Sequence, residues 1–139
     1  MTGRSANRGQ CAQFCRLPYD VTTLEGEVLA RNAHVLSLKD SNQTDNLEAL
    51  IDAGVSSFKI EGRLKDIQYV KNITAHYRQA LDRIIARRPE LSRTSDGVST
   101  FSFTPDPQKS FNRGNTEYFV HGREYDKPYT LVDLATPKN

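Results

Sequence analysis

"HVLSLKDSNQTDNLEALIDAGVSSFKIEG", residues 34–62, decides how this chain is read. It opens on an apolar run of strand length, 34–40, that ends in the charged pair Lys39 and Asp40. Asn42 or Thr44 can cap a helix behind it, and Leu47, Leu50 and Ile51 give that helix one apolar face. Gly54 stands where a helix-ending glycine belongs. "SSFKIEG", residues 56–62, follows at once as a second strand. A longer helix is expected from Asp66 to Arg88, because Ile67, Val70, Ile73, Tyr77, Leu81 and Ile84 recur at helical spacing. Pro89 stops it, and Arg83, Arg87 and Arg88 near its end complement the helix dipole. The order strand, helix, strand, helix implies parallel strands with helices packed outside them. Two such units cannot bury both faces of a sheet, so this α/β chain reads as a slice of a larger sheet or barrel.

Working outward, Val21–Leu24 and Val28–Ala30 flank Glu25-Gly26-Glu27 and read as a hairpin with glycine in its turn. Before them, "SANRGQCAQFCRLPY", residues 5–19, holds both cysteines of the chain. Downstream, "LSRTSDG", residues 91–97, reads as a linker, and "STFSFTP", residues 99–105, alternates at strand period with Phe101 and Phe103 on one face. "FNRGNTEYFVHGREYDKP", residues 111–128, reads as β structure or extended packing. The expected division is a cysteine segment and hairpin over 1–33, two strand–helix units over 34–90, and a linker with a β-rich tail over 91–139.

The 139 residues make about one domain, with a hydrophobic fraction of 37% and a charged fraction of 26%. No apolar run is long enough to span a membrane, and no apolar stretch backs the basic N-terminus as a signal peptide would. Two cysteines are no disulfide framework, so a reducing, cytoplasmic setting is expected. Nineteen basic and seventeen acidic residues leave a net charge of only +2. Arg4, Arg8 and Arg16 nevertheless flank the cysteines with no acid between them. Such a patch suits an anion or an RNA backbone, and equally is scattered solvated charge.

Cys11 and Cys15 have the spacing C-x-x-x-C. A disulfide between them would close a trivial loop. Thiolates beside arginines suit zinc or an iron–sulfur cluster, but two are half of the usual four ligands. On spacing alone, metal ligation and a pair of reduced thiols stand level. The two expected strand ends would put Lys39, Asp40, Lys59, Glu61 and Arg63 at one rim, where α/β sheets bind ligands. Lysine and arginine suit a carboxylate or phosphate, and a desolvated Asp40 or Glu61 suits proton acceptance. An ion-pair network closing a barrel mouth accounts for the same residues as well. Strand alternation sends Lys59 and Glu61 to the same side, where they can pair. Asn72-Ile-Thr74 matches the glycosylation pattern but lies inside the expected helix, and is read as chance.

Four stretches together resemble the collagenase-like peptidase family: "GRSANRGQCAQFCRLPY" (3–19), "HVLSLKD" (34–40), "LIDAGVSSFKIEGRLKDIQYVKNITAHYRQALD" (50–82) and "FNRGNTEYFV" (111–120). Within it the chain is most similar to the branch of bacterial ribosomal-RNA cytidine hydroxylases formerly called putative proteases. The resemblance implies the C-terminal portion of a TIM-like barrel and a four-cysteine iron–sulfur site. Cys11 and Cys15 match its second pair, with Arg8 and Arg16 beside the cofactor. It also implies prephenate as co-substrate and ribosomal RNA as partner. Family members are several times longer, so the chain reads as a fragment, inactive alone, whose uncovered surfaces favour a homodimer. A peptidase and a non-catalytic RNA-binding or dimerising piece are the alternatives. No nucleophile motif and no H-E-x-x-H supports the peptidase.

Overall fold

The computed structural model describes residues 3–62, 65–110, 112–117 and 120–121. They form two compact units, one from the described residues of Met1–Ser41 and Arg113–Asn139, the other from those of Asn42–Asn112. Helix and strand are mixed, and the described strands form two two-stranded sheets with no closed barrel.

In the first unit, β1 (Tyr19–Thr22) and β2 (Val28–Ala33) form the expected antiparallel hairpin. Gly26 turns it at φ 89°, a left-handed value that suits glycine. Thr23 closes the turn, its N–H donating to the Glu27 carbonyl at 2.8 Å. The register slips between Tyr19 and Val21, where β2 carries one extra residue. Asn32 absorbs the slip at φ 46°, and its N–H donates to the Asp20 carboxylate at 2.7 Å.

The strand expected over 34–40 is corrected by a turn. Ser37 N–H donates to the His34 carbonyl at 2.9 Å, Leu38 makes an isolated bridge, and a regular strand begins only at β3 (Asp40–Ser41). The His34–Ser37 turn spends on itself the backbone groups that a continuous strand would offer to a neighbour. The Leu38 carbonyl also accepts from the Arg16 guanidinium at 3.2 Å. The second expected strand, 56–62, is also absent, so the two strand–helix units do not form. β3 pairs in parallel with β4 (Asn115–Thr116) instead. The period-two stretch 99–105 forms no strand either, although Phe101 and Phe103 do meet edge to face at 6.1 Å. Tyr118, Phe119 and the tail from Gly122 lie outside the described residues.

The second unit is built on two helices, α1 (Leu47–Asp52) and α2 (Ile67–Arg87). α1 stops as expected at Gly54, whose φ is 93°. Gly54 N–H reaches the Ile51 carbonyl at 2.9 Å and Val55 N–H reaches Leu50 at 3.0 Å, the paired bonds of a Schellman ending. Asp66 caps α2, accepting from Tyr69 N–H at 2.7 Å. The core joins Leu47, Ala80 and Ile84, with Ile51, Phe58, Tyr77, Leu81 and Leu91 packed against it. α2 buries residues from Ile73 to Ile84, while Ile67 and Val70 in its first turn stay exposed. The arginines at its end do more than face the dipole. Arg87 pairs with Glu48 at 3.0 Å and Arg88 with Asp52 at 2.6 Å, tying α2 to α1.

Leu47 is 1% exposed and Ile67 is 62% exposed, which sets the scale of their substitutions. Leu47→Ala should lower unfolding stability by about 2–5 kcal/mol. Ile67→Ala should change it by less than about 0.5 kcal/mol. Urea titration followed by far-ultraviolet circular dichroism checks both.

Candidate functional site

The two thiols sit on a tightly turned segment of the first unit. Ala6–Arg8 and Phe14–Arg16 are single 3₁₀ turns, separated by Gly9 at φ 74° and Gln13 at φ 55°. Cys11 is half-buried and its Sγ accepts the Gln13 N–H at 3.4 Å; Cys15 is exposed, and neither is in a disulfide. Tyr19 Oη donates to the Phe14 carbonyl at 2.7 Å and holds the turn that carries Cys15 against the start of β1. Among the described residues no three histidine, cysteine or acidic side chains gather to hold a metal ion. The described residues therefore offer two thiol donors and no complete ligand set there.

The expected anion contacts divide. Arg8 is exposed and reaches only the Gly3 carbonyl at 3.4 Å. Arg16 is engaged: its Nη1 donates to Ser37 Oγ at 2.9 Å and to the Leu38 carbonyl at 3.2 Å. Its own carbonyl accepts from His34 Nδ1 at 3.1 Å, so the neutral His34 ring carries its proton on Nδ1. Sequence reasoning missed Ser37 and His34 as partners, because both lay in a run read as a strand.

Asp40 is a structural joint. Its carboxylate accepts Arg113 N–H at 3.0 Å and faces the Arg113 guanidinium at 3.5 Å, and its own N–H donates to the Gly114 carbonyl at 2.9 Å. A Cβ placed on Gly114 would meet the Lys39 methylenes at 3.9 Å. In the other unit Lys59 and Glu61 pair at 2.9 Å as expected, both exposed, on a segment that joins no strand. Their hydrogen bond, and then their charges, hold the Lys59 amine above its ordinary range and the Glu61 carboxyl below it. Arg63 lies outside the described residues.

The second unit also holds a polar network that sequence reasoning did not find. Thr44 Oγ1 donates to Asn42 Oδ1 at 2.6 Å and lies 2.9 Å from His76 Nε2. The hydroxyl has one proton and spends it on Asn42, so Nε2 is the donor to Thr44. Tyr77 Oη donates to the same Asn42 oxygen at 3.1 Å and accepts Gln43 N–H at 3.0 Å. The legible signal was the polar pair Asn42 and Thr44, read there only as helix caps. Burial, followed by the Arg83 charge, lowers the His76 pKa, against the opposing pull of Asp106 and Asp45. Nearby, the Asn72 amide serves both backbone groups of Asp106, accepting its N–H at 2.8 Å and donating to its carbonyl at 2.5 Å. That engagement agrees with reading Asn72-Ile-Thr74 as no glycosylation site.

A family model described as Peptidase family U32 matches residues 1–129. The chain is 59% identical over 125 residues to "23S rRNA 5-hydroxycytidine C2501 synthase" of Escherichia coli strain K12, covering 90% of this chain and 19% of that protein. It is 40% identical over 119 residues to a "Collagenase" of Porphyromonas gingivalis, covering 86% and 31%. It is 38% identical over 94 residues to "tRNA hydroxylation protein P1" of Bacillus subtilis, covering 62% and 22%. The chain thus spans less than a third of the length of each of these relatives. No solved structure matches it. No helix among the described residues is long and apolar enough to cross a membrane.

The lowered His76 pKa fixes the sign of a pH effect on the second unit. A folded-state value below the ordinary 6.5 means the unfolded chain binds the proton more readily. The stability that the neutral ring contributes is therefore complete above that value, and is lost as pH falls below it toward the folded pKa. Thermal melts across this window should show the loss, and His76→Gln should flatten it.

Proposed function

The chain belongs to peptidase family U32, and from that membership we propose that it is the thiol-bearing portion of an RNA hydroxylase that forms 5-hydroxycytidine in large-subunit ribosomal RNA. The observation that carries this reading is the 59% identity to the Escherichia coli 5-hydroxycytidine synthase. The tRNA-hydroxylation name of the Bacillus subtilis relative points to the same chemistry on another RNA.

Cys11 and Cys15 are free thiols, the second on the Phe14–Arg16 turn, a donor chemistry that fits an iron–sulfur cluster, and they would hold half of it. The other two ligands belong to parts of a longer protein, in keeping with the share of the relatives that this chain covers. When bound, such a cluster supplies electron transfer. The residues of this chain hold the two donors: Tyr19 and Arg16 brace the turn of Cys15, and the Gln13 amide supports the Cys11 sulfur. Prephenate, a dicarboxylate, is the proposed co-substrate. The proposed architecture is a TIM-like barrel completed by chain outside these residues, and the 139 residues alone are expected to be inactive.

The test is made in a strain that lacks its own 5-hydroxycytidine synthase. The full-length protein should restore 5-hydroxycytidine to digested ribosomal RNA, read by mass spectrometry. Cys11→Ser and Cys15→Ser should each abolish it. Cleavage of gelatin by the purified protein, lost in the same variants and with no nucleoside formed, would replace this reading with the peptidase one.

A further inference from the structure

Arginine beside a cysteine is commonly read as a charge that steadies a thiolate or meets an anion. The geometry around Arg16 points elsewhere. Both ends of this residue are consumed by one short turn. The guanidinium donates to Ser37 Oγ and to the Leu38 carbonyl, and the backbone carbonyl accepts from His34 Nδ1. His34 and Ser37 are the first and last residues of that turn, closed by the Ser37 N–H bond to the His34 carbonyl. Ser37 is 4% exposed, so its hydroxyl is a buried polar group that needs a partner. Arg16 and Leu17 N–H also close the 3₁₀ turn carrying Cys15, at 2.8 Å to Gln13 and 3.1 Å to Phe14.

We infer that Arg16 is a positioning residue: it clamps the turn of Cys15 to the 34–38 turn through hydrogen bonds, and does not serve as an anion contact. The clamp acts through donor geometry and not through charge. An arginine head presents fixed, planar N–H groups to the two oxygens, whereas a lysine in its place keeps the charge but carries a compact, freely rotating ammonium. The inference rests on the proposed ligand role of Cys15 only for its functional meaning; the clamp itself is a separate claim.

The discriminating variants are therefore Arg16→Lys, which keeps the charge, and Ser37→Ala, which removes an acceptor and no charge. Each is made in the full 139-residue chain, and amide hydrogen exchange is read at Arg16 and Leu17. Loss of one such bond should speed local exchange roughly five- to tenfold. Exchange in the hairpin β1–β2 should stay unchanged, which a general loss of folding would not allow. Cobalt(II) is then added to the same proteins, and its thiolate charge-transfer absorption is followed. Both variants should bind cobalt several-fold more weakly than the unsubstituted chain. Exchange and cobalt binding unchanged in both variants would overturn the inference. A lysine variant that matches the unsubstituted chain, beside an alanine variant of Arg16 that does not, would also overturn it, because charge would then be what matters. Faster exchange with no cobalt band even in the unsubstituted chain would uphold the clamp and count against the ligand role of the thiols.

Discussion

Three backbone groups and one carboxylate join the two sequence segments of the first unit. Asp40 gives its N–H to the Gly114 carbonyl, and its carboxylate takes the N–H of Arg113 across 73 residues of chain. The joint stands beside the parallel pairing of β3 with β4, and parallel neighbours require a long crossover that no tight turn can supply. Here the crossover contains the whole second unit, Asn42–Asn112. Asp40 thus marks the point where one unit hands the chain to the other and Arg113 the point where it returns. A residue that looked like a proton acceptor at a strand end carries the connectivity of the fold.

What could be read in advance follows the range over which each signal acts. α2 was legible because its period, its Asp66 cap and Pro89 are all local. The same holds for Gly54, where only a residue without Cβ adopts φ 93° easily. The runs 34–40 and 56–62 were misread because an apolar run states a wish for burial and not a hydrogen-bond partner. Over 34–37 the backbone closes on itself in a turn, and over 56–62 the chain contributes Phe58 to the helical core without joining a ladder. The pairing of Lys59 with Glu61 was legible from alternation alone, whereas that of Asp40 with Arg113 depends on distant sequence. His76 was invisible for a similar reason. Nothing local to a histidine on a helix says that a threonine 32 residues away will accept its proton.

The candidate site shows the same division. The cysteines and their arginines were legible from composition and spacing. What composition could not give is the difference between Arg8, exposed and bonded only to a nearby carbonyl, and Arg16, built into a turn. Charge counts treat them alike. The hydrogen bonds separate an exposed side chain with one long local contact from one built into the fold.

The Asp40 joint also orders events during synthesis. The hairpin β1–β2 joins neighbouring segments, so it can form as soon as its own residues emerge. The β3–β4 pairing cannot, because its two strands are separated by the whole of Asn42–Asn112. β3 must therefore wait for its partner until the entire second unit has been synthesised.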